Sequence, residues 1–418
     1  MCRLSRNLYN KGLFESRQYF FDKGKVLPYN DLYKLCKDNE NYSLLPAQTS
    51  QQVLKSVTEA MKSFMALSAL KQAGQYDKPV HLPQYLKEDE YAGIAFPAQN
   101  ISVKENGKFK IPMSRAFKKK LPNGHTSIWV SFPPNLDPGE LKEIYIYPVG
   151  KGRAIKIAYT YQLTAQPTKP TEHHVLGIDL GVDNFASCIS TTGTAFLMDG
   201  RYMKSLNQYF NKRMALQNQK DALYGIQGMT DRKFLMIEKR NNRIADVIFK
   251  TAKYIVLFCL ENDIDTIVVG HNPSQKQSTN MGKVNNQNFA YLPFGKFRSQ
   301  LAFLCAKYGL TYMETEESYT SLSSFLDKDP LPVYGAGKDV TFSGERVHRG
   351  LYVTKDKVLV NADLNAAANI IRKCFPQIMT GAGYDGLTRA LKSSPQRIRF
   401  SVFREMKAPD KKACPKVV

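Results

Sequence analysis

Three acidic positions in this sequence have the residue type and spacing to bind a divalent cation. The first, Asp179, lies inside the apolar run VLGIDL, which predicts a strand over 175–180. A carboxylate in such a strand is costly to bury unless a cation or hydrogen bonds compensate it. Asp179 therefore indicates a cation site, a buried salt bridge or a turn cap. The adjacent Gly177 and Gly181 leave room for a ligand or another backbone.

The second acid, Asp363, lies in the segment NADLNAAAN at 361–369. The small residues after it predict a helix packed closely against a sheet, although an aspartate in the first turn also interacts well with the helix dipole. The third position is a cluster of Glu314, Glu316 and Glu317 at the end of a strand predicted over 310–315. Because like charges repel, at most one of these glutamates should face a site, and alone the cluster is typical of a solvated strand end.

Taken together, these carboxylates form a set of hard oxygen ligands of the kind that suits Mg²⁺. Two such ions about 4 Å apart activate water and stabilise the leaving oxygen in phosphodiester hydrolysis. The predicted order of elements around the acids is strand, hairpin, helix, strand, helix, strand, helix. That order, with acids at these positions, indicates an RNase H-like nuclease.

The apolar periodicity changes along the chain and predicts the elements that position the acids. Residues 4–75 follow a helical period, whereas 78–163 alternate with a period of two around an Asn-Gly turn, which predicts a small antiparallel barrel or sandwich. The segment QPTKPT at 166–171 is typical of a linker. A loop is expected over 319–353. Beyond the linker the pattern predicts strands near 175–180, 186–190, 195–198 and 266–269, and helices within 203–262, 294–308 and 361–373.

The composition favours a polyanionic partner. The 418 residues include 59 Lys and Arg against 37 Asp and Glu, a formal net charge of +22. Nucleic acid is the leading candidate and an anionic membrane surface the second. We expect no membrane span, since no run of about 18 apolar residues exists, and no signal peptide. The seven scattered cysteines, never spaced C-x-x-C, indicate reduced thiols in a cytoplasmic protein.

Several segments of the chain resemble one known family. The segment GIDLGVDNFA at 177–186 resembles the first RuvC motif of TnpB proteins and related type V CRISPR effectors, and NADLNAAANI at 361–370 resembles their third motif. LPAQ at 45–48 is similar to a signature of their helical lobe, and YTS at 319–321 matches the segment after the penultimate sheet strand. These matches cover most of the chain in the family's order.

The resemblance implies an α+β multidomain protein, with a helical lobe plus a small β-barrel (the wedge) followed by an RNase H-like (RuvC) α/β domain. The implied divisions are a helical recognition lobe over 1–77, the barrel over 78–165, a linker over 166–174, the first part of the nuclease domain over 175–317, a target-strand insertion like a degenerate zinc knuckle over 318–357, the last nuclease helix over 358–373 and a basic, disordered tail over 374–418.

The activity implied by the resemblance is RNA-guided, Mg²⁺-dependent cleavage of double-stranded DNA beside a short fixed motif. Mn²⁺ is expected to substitute for Mg²⁺, and the expected location is the prokaryotic cytoplasm, in association with the nucleoid when bound. Asp179 and Asp363 are then catalytic metal ligands. The remaining acid of the family usually follows the strand at 266–269, where this chain has Gly270 and His271. A subset of relatives supplies it just before the YTS segment, which points to Glu317, with Glu316 as the alternative catalytic residue.

Two other family features are missing from the sequence. The four cysteines of the zinc knuckle correspond to Ser324, Asp327, Val353 and Asp356, none of which is a thiolate, so no Zn²⁺ is expected. The family's barrel strand before the first helix is also not found, so we expect either a barrel that lacks a strand or a truncated start.

Basic, amide and aromatic side chains are predicted to contact nucleic acid. They are Lys239, Arg240 and Arg243 in the long helical region and Lys276, Asn288 and Phe289 in an amide-rich loop after Gly270. For that loop, an ordinary polar loop is the alternative interpretation. Two further functions stay open: an RNA-guided DNA-binding repressor that has lost cleavage, and a guide-independent RNase H-fold nuclease or resolvase.

Overall fold

The structure is a computed structural model that describes residues 1–121, 127–168, 174–271, 292–333, 340–348 and 350–401. The chain divides into two compact units, Met1–Leu163 and Thr164–Val418. Both units contain helices and strands, so the predicted mixed α/β class is confirmed. None of the helices in these described ranges is long and apolar enough to cross a membrane.

The first unit begins with four helices. They are α1 (Cys2–Lys23), α2 (Tyr29–Cys36), α3 (Glu40–Leu44) and α4 (Ala47–Gln72). Pro46 precedes α4, where a proline removes no helical hydrogen bond because the first N–H groups of a helix have no partner within it. Leu8 and Leu13 of α1 pack in one core with Leu54 and Val57 of α4. The helical period of this segment therefore reflects a buried apolar core.

Five strands and a short α-helix follow in the described part of the first unit. They are β1 (Ile94–Pro97), β2 (Lys108–Lys110), α5 (Arg115–Lys119), β3 (Trp129–Ser131), β4 (Leu141–Val149) and β5 (Ala154–Tyr161). The strands form an antiparallel sheet in the order β1-β4-β5 and a separate β2-β3 pair. Gly107 adopts φ +70° in the predicted Asn-Gly turn, beside a bridge between Val103 and Phe109. The described strands thus form two small sheets around a core that includes Phe96, Phe109 and Ile144.

A six-stranded sheet is the centre of the second unit. Its strands are β6 (Val175–Leu180), β7 (Asn184–Ser190), β8 (Ala195–Asp199), β9 (Thr266–His271), β10 (Thr311–Glu316) and β14 (Gln396–Ile398). Their order is β10-β9-β6-β7-β8-β14. Strands β6, β7 and β8 form an antiparallel meander, β9 and β10 run parallel to β6, and β14 runs parallel to β8.

Helices cover both faces of this sheet. They are α6 (Arg201–Leu223), α7 (Asp231–Glu261), α8 (Phe294–Tyr308), α9 (Ala362–Cys374) and α10 (Ala382–Lys392). Alternate residues of a strand point to opposite faces, so β6 supplies Leu176 and Ile178 to the core with α7 and α8, and Val175 to the core with α9 and α10.

The absence of a side chain at Gly177 lets α9 lie directly against β6. A Cβ at this position would lie 2.4 Å from the carbonyl oxygen of Ala367 and 2.5 Å from Cγ1 of Ile371. Ala366, Ala367 and Ala368 are all buried in the helix. The predicted close packing of this alanine-rich helix against a sheet is therefore confirmed.

The segment after Cys374 was expected to be disordered, and this is wrong for its first part. A short 3₁₀ helix (Pro376–Met379), helix α10 and strand β14 follow in order. Leu387 and Leu391 of α10 and Ile398 of β14 are buried in the two cores. A few well-spaced apolar residues are enough to anchor this segment in the cores. They were not recognised in the sequence because Lys, Arg, Ser and Pro surround them. Residues 402–418 lie outside the described residues.

The region predicted as a loop over 319–353 contains two strands of a small antiparallel sheet. This sheet consists of β11 (Glu345–His348), β12 (Leu351–Val353) and β13 (Leu359–Asn361). The Asp327 carboxylate accepts hydrogen bonds from Ser324 Oγ at 2.6 Å and from the Lys355 N–H at 2.9 Å. A carboxylate thus joins the two turns that contain the positions predicted to correspond to a zinc knuckle.

Replacing Gly177 by alanine is expected to destabilise the protein. The added Cβ would meet backbone as well as the Ile371 side chain, so a rotamer change cannot relieve the overlap, and overpacking of this kind costs about 1–3 kcal/mol. The measurement is the free energy of unfolding by chemical denaturation. Gly295→Ala in α8 is the control, because a Cβ at Gly295 has nothing within 4 Å. Equal stabilities for Gly177→Ala and the wild type would contradict the packing argument.

Candidate functional site

The carboxyl ends of three parallel strands meet at one edge of the large sheet. Ile178 of β6 pairs with Val269 of β9, which in turn pairs with Glu314 of β10. The next residues along these strands, Asp179, Gly270 and the end of β10, therefore lie side by side. The crevice outside the carboxyl ends of such strands is the usual ligand site of open α/β sheets.

The carboxylate of Asp179 lies on the α9 side of this edge. Gly177 faces α9, and the period of two in a strand places Asp179 on the same face. Burial raises the pKa of Asp179 well above its usual value, and the carboxylates of Asp363 and Glu317 raise it further. Arg346 acts in the opposite direction without outweighing them. The structure thus brings together three acids separated by up to 184 positions, which we call the carboxylate site: Asp179, Glu317 and Asp363.

Asp363 is held at this site by hydrogen bonds to both carboxylate oxygens. It lies in the first turn of α9, which Asn361 caps by accepting hydrogen bonds from the N–H groups of Asp363 and Leu364. The Asn184 amide donates to Asp363 Oδ2 at 2.8 Å, and Arg346 Nη2 donates to Oδ1 at 3.1 Å. Asn361 therefore caps the helix, and Asp363 places a carboxylate at the site. The interpretation of Asp363 as a simple helix cap does not account for this arrangement.

The structure places Glu316 and Glu317 in different environments. Glu316 accepts hydrogen bonds from Lys373 Nζ at 2.7 Å and from the Ser318 N–H at 2.6 Å. Burial alone would raise the pKa of Glu316, but these hydrogen bonds outweigh it and the pKa is lowered. The pKa of Glu317 is raised, first by burial and then by the charge of Glu316. Glu316 is thus engaged in a structural ion pair, while the Glu317 carboxylate is close enough to Asp179 to raise the pKa of Asp179.

Gly270 makes room for the carboxylate of Glu317. A Cβ at position 270 would lie 3.0 Å from Glu317 Oε2. The resemblance predicts an acid at the end of β9. The Glu317 carboxylate, which follows the neighbouring strand β10, lies next to this position. Glu314, the third member of the cluster, instead pairs with Arg298 at 2.5 Å and accepts a hydrogen bond from the Tyr312 hydroxyl.

Two asparagines of α9 anchor the segment that follows Glu317. Asn365 donates to the Ser323 carbonyl at 2.8 Å and accepts from the Phe325 N–H at 3.0 Å. Asn369, one turn later, donates to the carbonyls of Thr320 and Ser323. Both side chains are buried. Their i, i+4 spacing in an alanine-rich helix was a signal for a buried polar face that the sequence analysis did not use.

The residues predicted to contact nucleic acid fall into two groups. Lys239, Arg240 and Arg243 of α7 line a cavity of about 280 Å³ together with Arg213 and Tyr209 of α6. Lys276, Asn288 and Phe289 lie outside the described residues.

Arg240 is held in that cavity by side chains of α6. Its guanidinium donates to Asn207 Oδ1 at 2.7 Å and lies over the ring of Phe210. The lining of cationic and aromatic side chains can contact both phosphates and bases.

Three residues near the carboxylate site were missed by the sequence analysis: Asn184, Arg346 and Arg397. Arg397 Nη1 donates to Asn184 Oδ1 at 2.8 Å, and Asn184 in turn contacts Asp363. Arg346 comes from the insertion and Arg397 from the expected tail, so no local pattern connected either residue to the acids. Asn184 lies within the GIDLGVDNFA segment but was not assigned a role.

The donor set of the carboxylate site consists of carboxylate oxygens, which are the ligands Mg²⁺ prefers. Arg346 does not offset the effects that raise the pKa of Asp179. A bound cation would compensate the negative charge that remains. In the part of the chain that the structure describes, no three His, Cys, Asp or Glu side chains are clustered closely enough to hold an ion as they stand. The chemistry of the residues fits a hard cation, and binding it requires the carboxylates to draw together.

Residues 157–275 match the family model OrfB_IS605, described as a probable transposase. A curated relative, the TnpB-like protein ORF457 of Acidianus two-tailed virus, is 26% identical over 405 residues, which cover 89% of this chain and 82% of the relative. The chain is similar to TnpB-like proteins. The family match includes Asp179, Asn184 and Gly270, and the TnpB-like relative extends the similarity over most of the chain.

Similar solved structures include two CRISPR effector complexes. The Cas12f1–sgRNA–target DNA complex is 15% identical, covers 89% of this chain and 92% of that chain, and gives a TM-score of 0.37. The CRISPR-Cas12f ternary complex is 16% identical, covers 88% of this chain and 80% of that chain, and gives a TM-score of 0.36.

Replacing Asp179 by asparagine is expected to stabilise the metal-free protein at neutral pH, by about 0.5–2 kcal/mol. The folded pKa of Asp179 is raised, so the stability of the wild type falls as the pH rises from the unfolded pKa towards the folded pKa. The stability of the Asp179→Asn variant should therefore fall less than that of the wild type over this pH range. The measurement is chemical denaturation in EDTA at several pH values, with Asp385→Asn at an exposed position as the control. A variant less stable than the wild type at neutral pH would contradict the argument that the Asp179 carboxylate carries an uncompensated charge.

Proposed function

We propose that this protein is an RNA-guided DNA endonuclease that hydrolyses phosphodiester bonds at the carboxylate site. The observation that carries the proposal is the convergence of Asp179, Glu317 and Asp363 near the carboxyl ends of parallel strands, where burial and then the charges of Asp363 and Glu317 raise the pKa of Asp179. Three acids kept together at a cost in stability are typical of a functional site. The similarity to TnpB-like proteins supports guidance by RNA.

The strand order of the second unit supports an RNase H-like, RuvC-type domain. An antiparallel meander (β6, β7 and β8) is followed by β9 and β10, which run parallel to β6 on its other side. The catalytic acids of the proposal lie on the first strand of the meander, after the last parallel strand, and on the helix that crosses the sheet. This is the arrangement that the sequence motifs predict for such a nuclease.

Asp179, Glu317 and Asp363 are the residues that would hold Mg²⁺, with Mn²⁺ as a substitute. When bound, the ion supplies the positive charge that activates a water molecule and stabilises the leaving oxygen of a phosphodiester. Asn184 and Arg346 orient the Asp363 carboxylate. Lys373 keeps Glu316 out of the site.

The excess of basic residues fits a protein that neutralises both a guide RNA and a DNA duplex. In this proposal, the helices of the first unit form the recognition lobe and its small sheets form the wedge. The cavity lined by Lys239, Arg240 and Arg243 contacts the nucleic-acid backbone. Base pairing with the guide would read the target sequence, and the protein would read a short adjacent motif.

Single substitutions separate the endonuclease from an RNA-guided repressor that has lost cleavage. Asp179→Ala, Asp363→Ala and Glu317→Gln are each expected to lower the cleavage rate by about 10³-fold or more, because a metal ligand contributes several kcal/mol to the transition state. Affinity for target DNA should stay within a few-fold. Glu316→Gln is the matched control and should keep activity within about tenfold, since its partner is Lys373. A wild type that binds target DNA without cutting it would support the repressor.

Sequencing the RNA that copurifies with the protein tests the guide. The protein is expressed with the DNA that flanks its gene, purified, and its bound RNA is sequenced. We expect one structured species transcribed from beside the gene. Random fragments, or no RNA, combined with Mg²⁺-dependent cleavage would instead support a guide-independent RNase H-fold nuclease or resolvase.

A further inference from the structure

A strand from the C-terminal region lies beside the elements that carry the carboxylate site. Strand β14 pairs in parallel with β8, with Arg397 opposite Leu197 and Ile398 opposite Met198. Ile398 is buried in the core of the sheet, which fixes the strand in place. The side chain of Arg397 is thereby directed across β8 to Asn184 at the start of β7.

Arg397, Asn184 and Asp363 form a chain of hydrogen bonds with one possible direction. Arg397 Nη1 donates to Asn184 Oδ1 at 2.8 Å, and Asn184 Nδ2 donates to Asp363 Oδ2 at 2.8 Å. An arginine can only donate and an ionised carboxylate can only accept. The Asn184 amide must therefore present its oxygen to Arg397 and its NH₂ group to Asp363. A flipped amide would set donor against donor and acceptor against acceptor.

The alignment of Asn184 matters because its side chain is buried and cannot exchange partners with solvent freely. Asn184 is 8% exposed and lies in the ladder between β7 and β8, opposite Asp199. The other oxygen of Asp363 is bonded to Arg346, so the carboxylate is held from two sides. Partners of this kind, which orient a metal ligand without touching the metal, commonly change metal affinity or activity about 10- to 100-fold when removed.

We propose that Arg397 is a positioning residue for Asp363 and acts through Asn184, so that the C-terminal strand completes the carboxylate site. This inference rests on the proposed function, since it takes Asp363 as a metal ligand. It assigns a role to a segment in which the sequence motifs indicate none.

The test measures Mn²⁺ binding to the purified protein with its bound RNA by isothermal titration calorimetry, together with the Mg²⁺ dependence of DNA cleavage. Arg397→Ala is expected to weaken Mn²⁺ binding and to raise the Mg²⁺ concentration for half-maximal cleavage, each about 10- to 100-fold. High Mg²⁺ should restore most of the maximal rate. Arg397→Lys, which keeps one donor, should recover part of the affinity. Arg399→Ala, an exposed arginine in the same segment, is the matched control and should behave as the wild type.

A double-mutant cycle with Asn184→Ser tests whether Arg397 acts through the amide. If it does, Arg397→Ala should change Mn²⁺ affinity less than twofold in the Asn184→Ser background, because the relay is already broken. Thermal unfolding of each variant separates loss of the ligand position from loss of the fold. An Arg397→Lys variant that unfolds like the wild type keeps the test valid if Arg397→Ala destabilises β14.

Two results would overturn the inference while leaving the proposed function intact. These are wild-type Mn²⁺ affinity in Arg397→Ala, and full additivity of the two substitutions in the cycle. Failure of the proposed function would look different. In that case the wild type itself would not cleave DNA, and Asp363→Ala would not reduce its Mn²⁺ binding. Both conclusions would then be wrong.

Discussion

The contact between α9 and strand β6 is the packing constraint on which the rest of the second unit depends. With no side chain at Gly177, the carbonyl of Ala367 lies where a Cβ would otherwise be. This close approach brings the first turn of α9, and with it Asp363, to the edge of the sheet where Asp179 lies near the end of β6. The same helix carries the asparagines that hold the segment after Glu317. One helix thus positions two of the acids and is packed against the strand of the third.

The electrostatics of the carboxylate site oppose folding. Burial and two neighbouring carboxylates raise the pKa of Asp179, so its ionised form is a cost that the packing of the sheet has to offset. Glu316 shows the alternative: paired with Lys373 and Ser318, its carboxylate stabilises the turn and its pKa is lowered. The pKa values of the two adjacent glutamates are therefore shifted in opposite directions, because Glu316 is hydrogen-bonded to Lys373 whereas Glu317 is buried beside the charge of Glu316.

Asp363 is reached by arginines from two segments far apart in the chain. Arg346 comes from β11 of the small antiparallel sheet, and Arg397 comes from the strand that extends the large sheet. Arg346 contacts the carboxylate directly, whereas Arg397 contacts it through the Asn184 amide. The insertion and the C-terminal segment therefore contribute to the site itself and not only to the surface around it.

The sequence by itself determined the elements with strong local periodicity and the acids within them. The apolar run around Asp179, the alanine-rich helix after Asp363 and the Asn-Gly turn before β2 are encoded over a few residues, and the structure has the predicted conformation at each. The fold of residues 375–401 was missed because its five buried apolar residues, Ile378, Leu387, Ala390, Leu391 and Ile398, lie among many polar and basic ones. Tertiary structure alone decided that Glu316 is paired, since its partner Lys373 lies more than fifty residues later in the chain. It also decided the alignment of Arg397, Asn184 and Asp363, because hydrogen bonds between residues from three separate elements exist only after the sheet and α9 have packed.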